Sequence, residues 1–65
     1  MYTIGNSYTT QIYKQRYKKN AILTAKNLAK RDWNIWFRVY RKGELIYECC
    51  NIMRGQTVTF AEYKY

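Results

Sequence analysis

The chain has 65 residues, no Pro, three Gly and a formal net charge of +8, and nearly half of its residues are apolar. That length allows one domain with a thin core, and the apolar content excludes a disordered chain. No apolar run approaches the roughly 20 residues of a membrane span, and Met1 to Gly5 lacks the basic-then-apolar layout of a signal peptide, so a cytoplasmic location without a membrane partner is expected.

Tyr2 to Asn6 reads as a frayed end finishing in a Gly5-Asn6 turn. Ser7 to Tyr17 is ambiguous. Its Tyr, Thr and Ile content favours a strand, with Tyr8, Thr10 and Ile12 on one side and Tyr13, Gln15 and Tyr17 on the other. Tyr13, Tyr17, Ala21, Ala25 and Leu28 would also line one stripe of a long helix. The strand is preferred, because β-forming residues dominate and Lys18-Lys19-Asn20 can turn. From Ala21 the period is helical. Ala21, Ile22, Ala25, Leu28 and Ala29 fall within an arc of about 120° at 100° per residue. Asn20 is the expected N-cap, and Lys30 and Arg31 sit at the C-terminal end, where the macrodipole favours cations.

Trp33 to Cys50 has the pattern of a β-hairpin around Arg41-Lys42-Gly43. A two-residue loop at Lys42-Gly43 would oppose Phe37 and Glu48 and mix both faces. A three-residue loop, with Gly43 in a left-handed bulge position, sets Tyr40 opposite Glu44, Val39 opposite Leu45, Phe37 opposite Tyr47 and Ile35 opposite Cys49. One face then holds Trp33, Ile35, Phe37, Val39, Leu45, Tyr47 and Cys49 without a charge. The other holds Trp36, Arg38, Tyr40, Glu44, Ile46, Glu48 and Cys50. A one-residue slip exchanges faces, so the clean partition favours the three-residue loop.

Asn51 to Gln56 reads as a connection turning at Gly55, and Thr57 to Tyr65 as a last strand with Val58 and Phe60 on one face. The expected fold is therefore α+β, a single domain over residues 1–65. One helix lies on one face of a three- to four-stranded antiparallel sheet, in the order strand, helix, strand, strand, strand. The expected core is Ile12, Ile22, Ala25, Leu28, Ala29, Ile35, Phe37, Val39, Leu45, Tyr47, Val58 and Phe60. So small a core leaves stability thin, and a homodimer would add to it.

Catalytic chemistry lacks its usual parts. There is no His, Ser7 is the only serine, and Gly5, Gly43 and Gly55 are isolated, so neither a triad nor a phosphate-cradling loop can be assembled. Cys49 and Cys50 are neighbours that alternate across a strand and cannot staple distant elements. Cys49 is expected in the core and Cys50 as a partly exposed thiol in a reducing compartment. No enzyme activity, cofactor or metal site is expected.

Charge is placed unevenly. Residues 1–43 hold ten Lys and Arg against Asp32, giving +9, while residues 44–65 hold Arg54 and Lys64 against Glu44, Glu48 and Glu62, giving −1. Lys14, Arg16, Lys18, Lys19, Lys26, Lys30 and Arg31 form a stretch without an acid. Trp36, Arg38 and Tyr40 alternate onto one strand face, where they can stack bases and meet phosphates. These ten residues are the expected contact set for nucleic acid. The rival expectation is a protein-interaction module, a small inhibitor or adaptor whose aromatic sheet face and basic segment meet an acidic protein surface or a second copy. No residue motif ties the chain to a family; only its size and its Tyr and Lys content resemble those of small virus-encoded accessory proteins.

Overall fold

Ala21, Ala25, Leu28 and Ala29 recur at helical spacing, and they are the buried stripe of α1 (Lys18–Arg31) in a computed structural model that describes residues 1–9 and 12–65. Around the helix run β1 (Tyr2–Asn6), β2 (Tyr13–Gln15), β3 (Phe37–Arg41), β4 (Glu44–Arg54) and β5 (Thr57–Lys64). They form one five-stranded antiparallel sheet in the order β2-β1-β3-β4-β5. The architecture is α+β, one helix on one sheet face, with one strand more than the sequence suggests.

That additional strand is β1. The expected frayed end is an inner strand, pairing with β2 on one side and with β3 on the other. Ile4 is fully buried beneath the helix. Asn6 does mark a turn: its Oδ1 accepts from the backbone N–H of Tyr8 and of Thr9, at 2.8 and 2.9 Å. Because β2 and β3 both run antiparallel to β1, they are parallel to each other. The helix is the long crossover that such a connection needs.

The expected strand over residues 7–17 shortens to Tyr13–Gln15, and Thr10, assigned to it, lies outside the described residues. Ile12, expected in the core, is 37% exposed. The helix begins at Lys18, with Tyr17 as an N-cap that makes no side-chain bond, rather than after Asn20. Asn20 instead offers its carbonyl to the Thr24 hydroxyl at 2.8 Å.

The hairpin resolves a conflict that the sequence poses. Arg41 pairs with Glu44 across a two-residue loop in which Lys42 (φ 51°) and Gly43 (φ 78°) both have positive φ. This is the type I′ turn, whose twist matches the strands, and it replaces the expected three-residue loop. Kept throughout, that register would set Phe37 against Glu48. A bulge between Val39 and Tyr40 shifts it by one residue, so that Tyr40 faces Leu45, Val39 faces Tyr47, Arg38 faces Glu48 and Phe37 faces Cys49. The predicted partition survives for Phe37, Val39, Tyr47 and Cys49, all buried, but the partners of Phe37 and Val39 move by two residues and that of Tyr40 by one. Ile46, left without a β3 partner, packs against the core, and Leu45 takes its place opposite Tyr40. Trp33, expected on the core face, precedes β3 and is 48% exposed.

Asn51 to Arg54 continue β4 instead of forming a connection, and the turn falls at Gly55 (φ 61°) as expected. With 11 residues β4 is the longest strand of the sheet. Beyond Cys49 its inner edge is taken over by Asn34. The Asn34 N–H donates to the Asn51 carbonyl at 2.8 Å, and its Oδ1 accepts from the Met53 N–H at 2.9 Å. The helix packs over β1, β3 and β4 and leaves β5 uncovered. Val58 and Phe60, predicted for the core, are therefore 46% and 44% exposed.

Candidate nucleic-acid interface

The ten expected contact residues divide between two surfaces. On the sheet face away from the helix lie Lys14, Arg38 and Tyr40, because Lys14 pairs with Thr3, Thr3 with Tyr40, and Arg38 with Glu48. Trp36, just before β3, joins them through its stack on Tyr63 of β5, with ring centroids 5.7 Å apart. Lys18, Lys19, Lys26, Lys30 and Arg31 belong to the helix, on the opposite face. Arg16 lies in the link between β2 and α1. Stacking side chains and most of the cations thus occupy opposite sides of the sheet, a separation invisible to a count of residues along the chain.

On the open face, the Trp36–Tyr63 pair reaches from the β3 side and the β5 side over β4. The stack spans the strand that carries Cys50, and Cys50 is buried rather than a partly exposed thiol. Burial raises its pKa. Arg38 is engaged by Glu48 at 3.6 Å. Trp36 and Arg38 are therefore partly satisfied within the chain, whereas Lys14 is exposed.

On the helix, Lys19, Leu23, Lys26 and Lys30 fall within about 60° of one another at 100° per residue. They form a flank turned toward β5, since Lys26 comes within 3.9 Å of the Glu62 carboxylate. Lys18, Lys19, Ile22, Leu23 and Lys26 line a shallow open depression on this side. Arg31 is held by the neighbouring Asp32 at 3.2 Å. Among the described residues no carboxylate lies within ion-pair distance of Lys18, Lys19 or Lys30. The first turn of α1 has neither an acid nor a side-chain cap. Two lysines at that end oppose the macrodipole by about 0.3–1 kcal/mol each.

Beneath the flank, the buried Tyr47 donates a 2.6 Å hydrogen bond from its hydroxyl to Glu62 Oε2. Burial, reinforced by that carboxylate, raises the Tyr47 pKa, and the hydrogen bond holds Glu62 below the usual carboxylate range. Cys49, on the same face of β4, is pushed by burial from its ordinary 9.0 to about 11. The signs give a stability plateau with two limbs. Glu62's contribution is present above its ordinary 4.5 and is lost as pH falls toward its depressed folded value. Cys49's contribution is present below 9.0 and is lost as pH rises through about 11. Urea midpoints measured against pH should show both limbs, and Tyr47→Phe should flatten the acid limb. An acid limb unchanged by that substitution would remove the Tyr47–Glu62 bond as its cause.

Fold and surface together define a small basic α+β domain with a helix-borne lysine flank and an open aromatic sheet face. No helix among the described residues is long and apolar enough to cross a membrane. No family model, curated protein or solved structure matches the chain.

Proposed function

We propose that the chain binds nucleic acid through the phosphate backbone, with the lysine flank of α1 as the contact surface. The observation that carries this reading is the cluster of exposed cations on the helix without carboxylate partners among the described residues, Lys18, Lys19 and Lys30, beside Lys26. A helix end with two lysines, no acid and no cap is locally unfavourable. Departures of that kind concentrate at functional sites, and an anion there would meet both ammonium groups and the free N–H groups of the first turn. Recognition of this sort is of charge and shape, so little base specificity is expected.

The test is salt dependence. Each phosphate contact releases condensed counterions and adds about −0.9 to the log–log slope of affinity against salt for duplex DNA, and about −0.7 for single strands. Replacing Lys18, Lys19 and Lys30 together by Gln should reduce the duplex slope by about 2.7. Failure of the unmodified protein to bind a random duplex or single strand at low ionic strength would overturn the reading.

One observation favours a protein partner instead: the open sheet face presents Trp36, Tyr40 and Tyr63 with nothing from the helix above them. Trp36→Ala separates the two readings. On a phosphate-binding helix it leaves duplex affinity nearly unchanged, because Trp36 lies on the far side of the sheet. On a protein-binding sheet face it removes an aromatic hot spot.

A further inference from the structure

We propose that β5 is the seam of a homodimer, in which its free edge pairs antiparallel with β5 of a second copy and joins two sheets into one. This rests on the geometry of β5 and holds or fails independently of the nucleic-acid reading.

The two edges of the sheet are unlike. β2 has three residues, with Lys14 within it and Arg16 beside it, so it is short and charged, as protected edges are. β5 has eight residues without Pro or Gly and is uncovered by the helix. Its hydrogen-bonding groups can be assigned. Arg54 and Thr57 close a two-residue loop, and the Tyr65 N–H donates to the Ile46 carbonyl at 3.0 Å. Thr57, Thr59, Ala61, Tyr63 and Tyr65 therefore bond toward β4. Val58, Phe60, Glu62 and Lys64 direct their N–H and C=O groups outward, and two of those four carry exposed apolar side chains.

Charge leaves this edge the least repulsive approach for a second copy. Residues 44–65 sum to −1 and residues 1–43 to +9. A second copy arriving at the β5 edge meets the near-neutral half, whereas approach through α1 or β2 sets basic surface against basic surface. The edge is also self-complementary. A two-fold axis at Thr59 sets Val58 against Phe60 of the second copy, Phe60 against its Val58, and threonine against threonine, a favourable cross-strand pair. An axis at Glu62 would oppose two carboxylates directly. Residues of one face pair only with residues of the same face, so both helices stand on the same side. With α1 centred over β3, five strand spacings place them about 24 Å apart. Their lysine flanks lie on either side of a cleft floored by Val58 and Phe60, the helices separated by more than twice the screening length of about 10 Å at 0.1 M salt.

The full chain should sediment at twice its 8.0 kDa mass, and the outward amides of Val58 and Phe60 should be protected from hydrogen exchange. Phe60→Lys places a charge in the seam at an exposed position. Val58→Pro removes a donor that points out of the sheet and spares the β4 ladder. Both variants should become folded monomers in which the outward Glu62 and Lys64 amides, and whichever of Val58 and Phe60 keeps its N–H, exchange fast while the amides bonded to β4 stay protected. Thr59→Cys should give a covalent dimer under mild oxidation, since a non-hydrogen-bonded pair brings side chains close and Cys49 and Cys50 are buried. A monomer at every concentration with freely exchanging Val58 and Phe60 amides would overturn the proposal. So would a dimer that survives both seam substitutions, or one that Thr59→Cys does not cross-link.

Discussion

Phe37→Ala should destabilise the chain by about 3–5 kcal/mol, the usual loss for a buried aromatic. Phe37 is essentially inaccessible to solvent and belongs to the cluster of Ala21, Ala25, Leu28 and Ala29 of α1 with Val39, Tyr47 and Cys49 of the sheet. Three of those four helix residues are alanines, so the wall facing Phe37 has few long side chains to swing into the cavity. A domain of this length has only about 3–10 kcal/mol in total, at about 0.05–0.15 kcal/mol per residue. The variant should therefore be largely unfolded at room temperature, with near-ultraviolet dichroism lost. A urea midpoint close to that of the unmodified protein would show that Phe37 is not the centre of the core.

Ile4→Ala should cost about 2–5 kcal/mol, and removal of residues 1–6 should abolish the cooperative thermal transition. Ile4 is fully buried, and β1 is the strand through which β2 joins the sheet. Without β1, the β3 edge is left unpaired and the crossover from β2 through α1 loses its anchor. A truncated chain that still melted cooperatively at a similar temperature would show that β1 is peripheral, as its composition alone suggests.

Those two residues mark the limits of what the chain reveals. Phe37 is legible because β3 alternates, so that Phe37 and Val39 share one side of the strand and Arg38 and Tyr40 the other. Ile4 is not, because Tyr2 to Asn6 offers a single aliphatic residue followed by Gly, too short a pattern to separate from an end. The only signal was the Asx-type turn at Asn6, which marks a strand end as readily as a loose terminus. Among the expected contacts, the lysines of α1 were legible as a group because one helix holds them. Trp36, Arg38 and Tyr40 were legible as neighbours because one strand alternates. That the two groups face opposite ways was not, since it depends on which sheet face the helix covers.

By itself, the sequence determined the α+β class, the alanine-lined helix face, the inward placement of Phe37, Val39, Tyr47 and Cys49 and the division of charge between the two halves. Each follows from periodicity or composition within one continuous segment. The bulge at Ile46, the inner position of β1 and the exposure of Val58 and Phe60 were decided only by tertiary structure. The bulge reconciles a turn that must match strand twist with a face that must stay apolar. The other two depend on where a helix about 21 Å long, at 1.5 Å per residue, comes to rest on a sheet wider than it can cover.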